Sequence, residues 1–143
     1  MKELSGYVTV REFDGVNLPI TVQHNLMRAY SENINAIYKL AQTELVVSNS
    51  SFVLFSILRR LKKNGNLIMC SIFMLPDNKK KRIKILNYVN NKKIKLHFVF
   101  ENFVVKNEKT FFEVEQLLEL KKLINNNKPQ KYLKLFNKFK SIN

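Results

Sequence analysis

The sequence predicts one α/β domain, a three-layer sandwich around a mostly parallel sheet of four to five strands. Three observations lead there. Between residues 66 and 101, two apolar runs rich in β-branched residues (NLIMCSIFMLP and KIKLHFVFE) flank a lysine-rich helical run, the pattern of a β-α-β unit. Elsewhere, short β-branched runs alternate with apolar stripes at helical spacing. The length of 143 residues and the 45% hydrophobic content suit a single core that needs no disulfide or metal. The domain should span residues 1–127, leaving a basic amphipathic segment over 128–143.

Ser5 to Arg11 alternates small and β-branched residues and reads as the first strand. Asp14-Gly15 supplies turn chemistry after it. Pro19 is placed to open a helix, whose stripe recurs at Val22, Leu26, Tyr30 and Ile34. Ala36 to Leu45 reads as the second strand. Ser50 or Ser51 can cap a second helix with Leu54, Ile57, Leu58 and Leu61 inward, and Lys62-Lys63 and Gly65 mark its end. Leu67 to Phe73 is apolar almost throughout, so it is expected to be central and covered on both faces. Pro76 stops it, and Asp77 is expected to cap a helix burying Ile85, Leu86 and Val89. Ile94 to Phe100 reads as the fourth strand. Thr110 and Glu113 have capping-box spacing before a helix that buries Phe111, Val114, Leu117 and Leu118. The expected order is β-α-β-α-β-α-β-α.

The net charge is +14, and it lies almost wholly beyond residue 58. Residues 1–58 carry four basic and five acidic groups, whereas Lys79 to Lys95 carries eight basic groups. Such asymmetry suits an anionic partner: nucleic acid, acidic lipid or a phosphorylated metabolite. Twenty of the 25 basic residues are lysine, however, which also describes an ordinary solvated surface in a lysine- and asparagine-rich composition. Cys70 stands alone in an apolar run, so no disulfide framework exists and a buried core role is expected. The first fifteen residues lack the apolar core of a signal peptide, and a cytoplasmic location is expected.

With three glycines in the chain, a glycine-rich phosphate cradle is excluded, and no dinucleotide fingerprint is present. His24 and His97 lie far apart with no cysteine or paired carboxylate at ligand spacing, so no metal and no cofactor are expected. In parallel sheets, ligands sit outside the carboxyl ends of the strands. The polar residues expected there are Tyr7, Arg11, Glu44, Ser71, His97 and Glu101, joined by Gln23 and Arg82 from helices. Tyr7, Arg11, Gln23, Glu44 and Arg82 would bind a ligand, and Ser71, His97 and Glu101 would supply any acid–base chemistry. Two alternatives stand beside this. His97 between Leu96 and Phe98 can be a satisfied core histidine, and Glu101 can form a purely structural pair with Arg11 or Arg82.

The segments GYVTVREFDG, PITVQ, SIFMLP with Arg82, and LHFVFEN resemble the bacterial sporadic carbohydrate cluster proteins, found among genes for surface polysaccharide synthesis. The resemblance covers about residues 5–124. It implies a cytosolic role in assembling a surface glycan and brings no established reaction. The order of elements, with Tyr7 on the first strand and Gln23 in the first helix, also resembles the catalytic domain of serine recombinases of the resolvase type. Those enzymes place an arginine and then a nucleophilic serine at alternating positions after the tyrosine. Here the two positions hold Thr9 and Arg11, and clustered arginines give way to Pro76, Asp77 and Asn78. The second resemblance therefore implies the fold without a covalent bond to DNA.

Together these readings lead to an expectation of a carbohydrate-pathway protein that binds an anionic metabolite, for example a nucleotide sugar, at the carboxyl edge of the sheet. Whether binding is followed by chemistry stays open. A weak nucleic-acid binder of resolvase-like fold is one alternative. A non-catalytic interaction protein is another, as a homo-oligomer, as a partner of a pathway enzyme, or docked on a membrane surface through residues 128–143.

Overall fold

A computed structural model describes residues 1–126 and 137–138. The basic segment expected over 128–143 thus lies outside the described residues, apart from positions 137 and 138. The sheet has five strands in the order β2-β1-β3-β4-β5. They are β1 (Glu3–Val8), β2 (Ile37–Thr43), β3 (Asn66–Met69), β4 (Lys95–Phe98) and β5 (Phe103–Val105). The first four run parallel and β5 turns back antiparallel on β4. Among the described residues the sheet is joined by the helices α1 (Ile20–Asn33), α2 (Phe52–Arg60), α3 (Lys79–Lys92) and α4 (Glu108–Asn125). The fold is the α/β sandwich that the sequence predicts, with one departure in order, since β4 and β5 form a hairpin before α4. Among the described residues, no helix is long and apolar enough to cross a membrane.

β3 is buried along its whole length, so both its faces are covered. α1 packs on β1, β2 and β3, while α2 and α3 pack beside one another. The core runs through Leu4, Val8, Met27, Leu54, Leu58, Ile68, Phe98 and Phe111. At the outer edge, β2 shifts register against β1 between Ser5 and Tyr7. Gly6 sits at that shift, and a Cβ there would meet Ala41 Cβ at 2.7 Å and the Tyr38 hydroxyl at 2.9 Å. No other residue fits that approach without moving backbone.

Several boundaries differ from those expected, each for a local reason. β1 ends at Val8 instead of Arg11 because the Gln23 amide takes over the backbone of Thr9. Gln23 Oε1 accepts from Thr9 N at 3.2 Å and Nε2 donates to Thr9 O at 2.7 Å. The buried face of α1 is Gln23, Met27 and Ser31, one residue round from the expected Val22–Ile34 stripe. Polar Gln23 and Ser31 can go inside because their bonds are met locally, Ser31 Oγ donating to Met27 O. β3 stops at Met69, and the run to Leu75 bends into a single 3₁₀ turn (Ile72–Met74) whose cap is Ser71. The α3 cap is Asn78, not Asp77, with Asn78 Oδ1 accepting from Lys80 N and Lys81 N. The α4 capping box is Asn107 with Thr110, three residues ahead of the expected Thr110–Glu113 pair. Leu117, expected inside, is exposed.

The Asp14-Gly15 turn has both residues at positive φ, 51° and 72°, and closes a two-residue hairpin between Phe13 and Val16. This small loop stands over the carboxyl end of β1.

Candidate functional site

The order β2-β1-β3 places the switch of chain direction between β1 and β3, where α/β sheets open a crevice beyond their carboxyl ends. A cavity of 340 Å³ lies there. Tyr7 and Arg11 reach it from β1 and the loop after it. Met74, Pro76, Asp77 and Asn78 come from the connection between β3 and α3, and Asn49, Ser50 and Ser51 from the loop before α2. Lys81, one turn into α3, closes the remaining side by donating to Asn49 O at 3.3 Å. Arg11 is half-buried and donates through one guanidinium nitrogen to Met74 O at 2.7 Å, which ties the β1 loop to the 3₁₀ turn. Among the described residues Asp77 is the only carboxylate lining this cavity, which Arg11 and Lys81 also line. Both α2 and α3 begin at its rim, so the positive ends of their dipoles add to the field.

Glu44, just past β2, is 3% exposed and organises the α2 side. One carboxylate oxygen accepts from the Tyr7 hydroxyl at 2.9 Å and from Leu54 N. The other accepts from Leu45 N, Ser50 Oγ and Val53 N. Glu44 is thus the cap of α2, and Ser51 at the N-cap position makes no side-chain cap bond. Burial alone would raise the Glu44 carboxyl, but the bonds from Val53, Leu45, Ser50 and Leu54 hold it below the usual carboxylate range. Burial, reinforced by the Glu44 charge, pushes the Tyr7 phenol far above its ordinary value. Tyr7 is therefore a fixed donor and not a proton-transfer group.

The expected site residues divide into separate sets. Tyr7 and Arg11 meet in the crevice, with Glu44 behind them. Ser71 and Glu101 form their own pair: Glu101 accepts from Ser71 Oγ and from Ile72 N, both at 2.9 Å. This replaces the expected Glu101 partnership with Arg11 or Arg82. Glu101 lies in the β4–β5 turn, not at the end of a long strand, and it anchors that turn on the 3₁₀ segment. Arg82 is committed elsewhere. Its guanidinium makes a two-pronged pair with Glu115 of α4 and donates to Pro76 O and Asp77 O. Four of its five guanidinium N–H donors are spent on these bonds, which leaves one for a ligand.

His97 faces the opposite end of the sheet. Its Nε2 meets Asn66 Oδ1 and its Nδ1 meets the Tyr30 hydroxyl, each at 3.0 Å. Since Asn66 Oδ1 only accepts, Nε2 carries the proton and Nδ1 accepts from Tyr30. Burial, with Lys2 and Lys95 nearby, pulls the imidazole down to about 4, so it is neutral at physiological pH. Cys70 is buried, its thiol raised to about 12 by burial and by the charge of Glu101. Among the described residues no group of three or more His, Cys, Asp or Glu could hold a metal ion.

Sequence reasoning missed Asn49, Ser50, Asn78 and Lys81 as crevice residues. They lie on connections and on a helix start, where hydropathy period carries no information. The one available signal was position, since all of them follow a parallel strand's carboxyl end.

No family model matches this chain, and no curated protein is similar to it. Among solved structures, it is similar to a resolvase family site-specific recombinase from Streptococcus pneumoniae. The TM-score is 0.62 at 12% identity, over 98% of this chain and 99% of that one. It is also similar to the N-terminal catalytic domain of TP901-1 integrase, with a TM-score of 0.58 at 12% identity over 90% of this chain and 98% of that domain. The likeness is one of fold, and the fold is resolvase-like.

Proposed function

We propose that this chain is a resolvase-like protein without recombinase chemistry, and that it binds phosphate groups in the crevice between β1 and β3. The observation that carries this reading is that Arg11 and Lys81 line one cavity with a single carboxylate among its described lining residues. A guanidinium offers planar, two-pronged recognition of phosphate, and an ammonium adds a point charge. Arg11 spends one nitrogen on Met74 O and keeps the others for a ligand.

The absence of strand cleavage is supported by positions 9 and 11. Thr9 is buried, its backbone held by Gln23, and its Oγ1 accepts from Arg11 N. Neither position presents a hydroxyl to the crevice. Ser50 does line it, but its Oγ donates to Glu44. The resemblance of GYVTVREFDG and LHFVFEN to sporadic carbohydrate cluster proteins supplies a setting, cytosolic assembly of a surface glycan, in which phosphate-bearing intermediates are the usual currency of group transfer.

Titration of the whole chain with pyrophosphate tests the reading. Amide resonances of Arg11, Asn49, Asn78 and Lys81 should shift together and saturably, and Arg11→Gln should weaken binding at least tenfold while leaving the fold intact. Pyrophosphate that moves no crevice resonance, or that binds Arg11→Gln equally well, would remove the crevice as a phosphate site. A covalent adduct with DNA would overturn the non-recombinase half of the proposal.

A further inference from the structure

A second groove, of 680 Å³, runs between α2 and α3 and continues from the crevice, sharing Ser51 and Lys81 with it. Its lining combines three aromatic rings, Phe52, Phe55 and Tyr88, with Arg59, Lys84 and Lys92. Among the described residues no carboxylate lines it. Phe52 is the first residue of α2 and is 63% exposed, although Leu54, Ile57 and Leu58 already provide the buried face of that helix. Packing among the described residues therefore does not account for it. Tyr88 lies beside a cation, with Lys92 Nζ 5.6 Å from its ring centroid. Lys92 itself donates to the carbonyls of Leu58, Arg59 and Leu61 and so pins the end of α2 against α3. The groove thus has fixed walls.

An apolar protein partner would favour an apolar floor with charges of both signs at its rim. Aromatic rings set among cations alone suit a ligand that is flat, aromatic and anionic. We propose that this groove is the base-binding half of a nucleotide site, with the crevice between β1 and β3 as its phosphate half. The ligand class is a nucleoside diphosphate unit: its base stacks on Phe52, its phosphates reach past Lys81 to Arg11, and Lys84 offsets charge along the way. This inference rests on the phosphate reading of the crevice. Buried Tyr7 and Met74 close the inner end of the crevice, which fits a terminal phosphate group better than a chain running through.

Calorimetric titration of the full chain with pyrophosphate, thymidine diphosphate and an eight-residue oligothymidylate, all at one ionic strength, decides the matter. Thymidine diphosphate should bind more tightly than pyrophosphate. Phe52→Ala should weaken thymidine diphosphate roughly five- to a hundredfold, the range that loss of one base–aromatic stack produces, and leave pyrophosphate unchanged. Phe52→Tyr should restore the difference. Because Phe52 is exposed, the alanine variant should melt as the parent does, and Lys84→Gln offers a second variant outside the core. If thymidine diphosphate binds no better than pyrophosphate, or Phe52→Ala weakens neither, the groove is not a base site and the crevice reading survives alone. If thymidine diphosphate binds through Phe52 while pyrophosphate does not bind, the groove stands and the crevice reading falls. An oligothymidylate that binds much more tightly than the mononucleotide identifies the source of the unit as a nucleic-acid strand, and equal binding identifies it as a free nucleotide. Failure of all three ligands to bind overturns both inferences.

Discussion

At the residue scale, several of the polar side chains that look like chemistry in the sequence make hydrogen bonds that fasten one element to another. Glu101 holds a hairpin on the 3₁₀ turn, Gln23 ends β1, and Arg82 joins α3 to α4. Among the described residues, no buried side-chain nitrogen or oxygen lacks a hydrogen-bond partner. His97 gives this a measurable consequence. Its folded-state value is about 4 against an ordinary 6.5, so between those limits the unfolded chain takes up a proton that the native state refuses. Stability linked to His97 is fully present above about pH 6.5 and declines as pH falls towards about 4. Thermal midpoints measured across that window should fall in the parent protein and fall less in His97→Gln. Parallel curves for the two proteins would mean that His97 does not remain neutral in the fold. That His97 could be a satisfied core histidine was legible from its alternating strand. That its partners are Tyr30 and Asn66 was not, because they lie 67 and 31 residues away in the chain.

At the element scale, Glu44 shows how one strand end organises the start of a distant helix. It caps α2 and receives the Tyr7 hydroxyl, so β1, β2 and α2 meet on one carboxylate. Replacing it by glutamine keeps the shape but removes the charge and turns an NH₂ group towards donors that need an acceptor. Glu44→Gln should cost about 1–3 kcal/mol, read as a lower urea midpoint with an unchanged slope. An unaltered midpoint would show that α2 does not depend on this cap. The existence of all four helices was legible from apolar spacing. The capping residues mostly were not. Asn78 and Asn107 displaced Asp77 and Thr110 as the caps because asparagine Oδ1 reached the free amides of the first turn, a matter of loop geometry that a motif only approximates. The β4–β5 hairpin was likewise hidden, since Asn102 turns the chain in the left-handed region just past the expected strand end and β5 is only three residues long.

At the scale of the whole molecule, the resolvase-like sheet supplies a crevice and leaves its contents to local residues. The segment 128–143 belongs to this scale too. Tyr132, Leu135, Phe136 and Phe139 share one face if it is helical, and each would contribute ~1.5–3 kcal/mol if packed on the domain. Ending the chain at Asn127 should therefore lower the thermal midpoint by several degrees. An unchanged melt with lost affinity for anionic vesicles would assign the segment to docking instead. The sequence by itself determined the α/β class, the approximate elements and the inventory of polar groups at strand ends, because periodicity and turn chemistry are local properties that each segment carries with it. Only the tertiary structure decided which of those groups meet. It united Tyr7, Arg11 and Lys81 around one cavity, sent His97 to the other end of the sheet and consumed Arg82 in a pair with Glu115. The reason is physical: a buried polar group takes the nearest complementary partner in space, and spatial neighbours are set by strand order and crossovers, which no local spacing encodes.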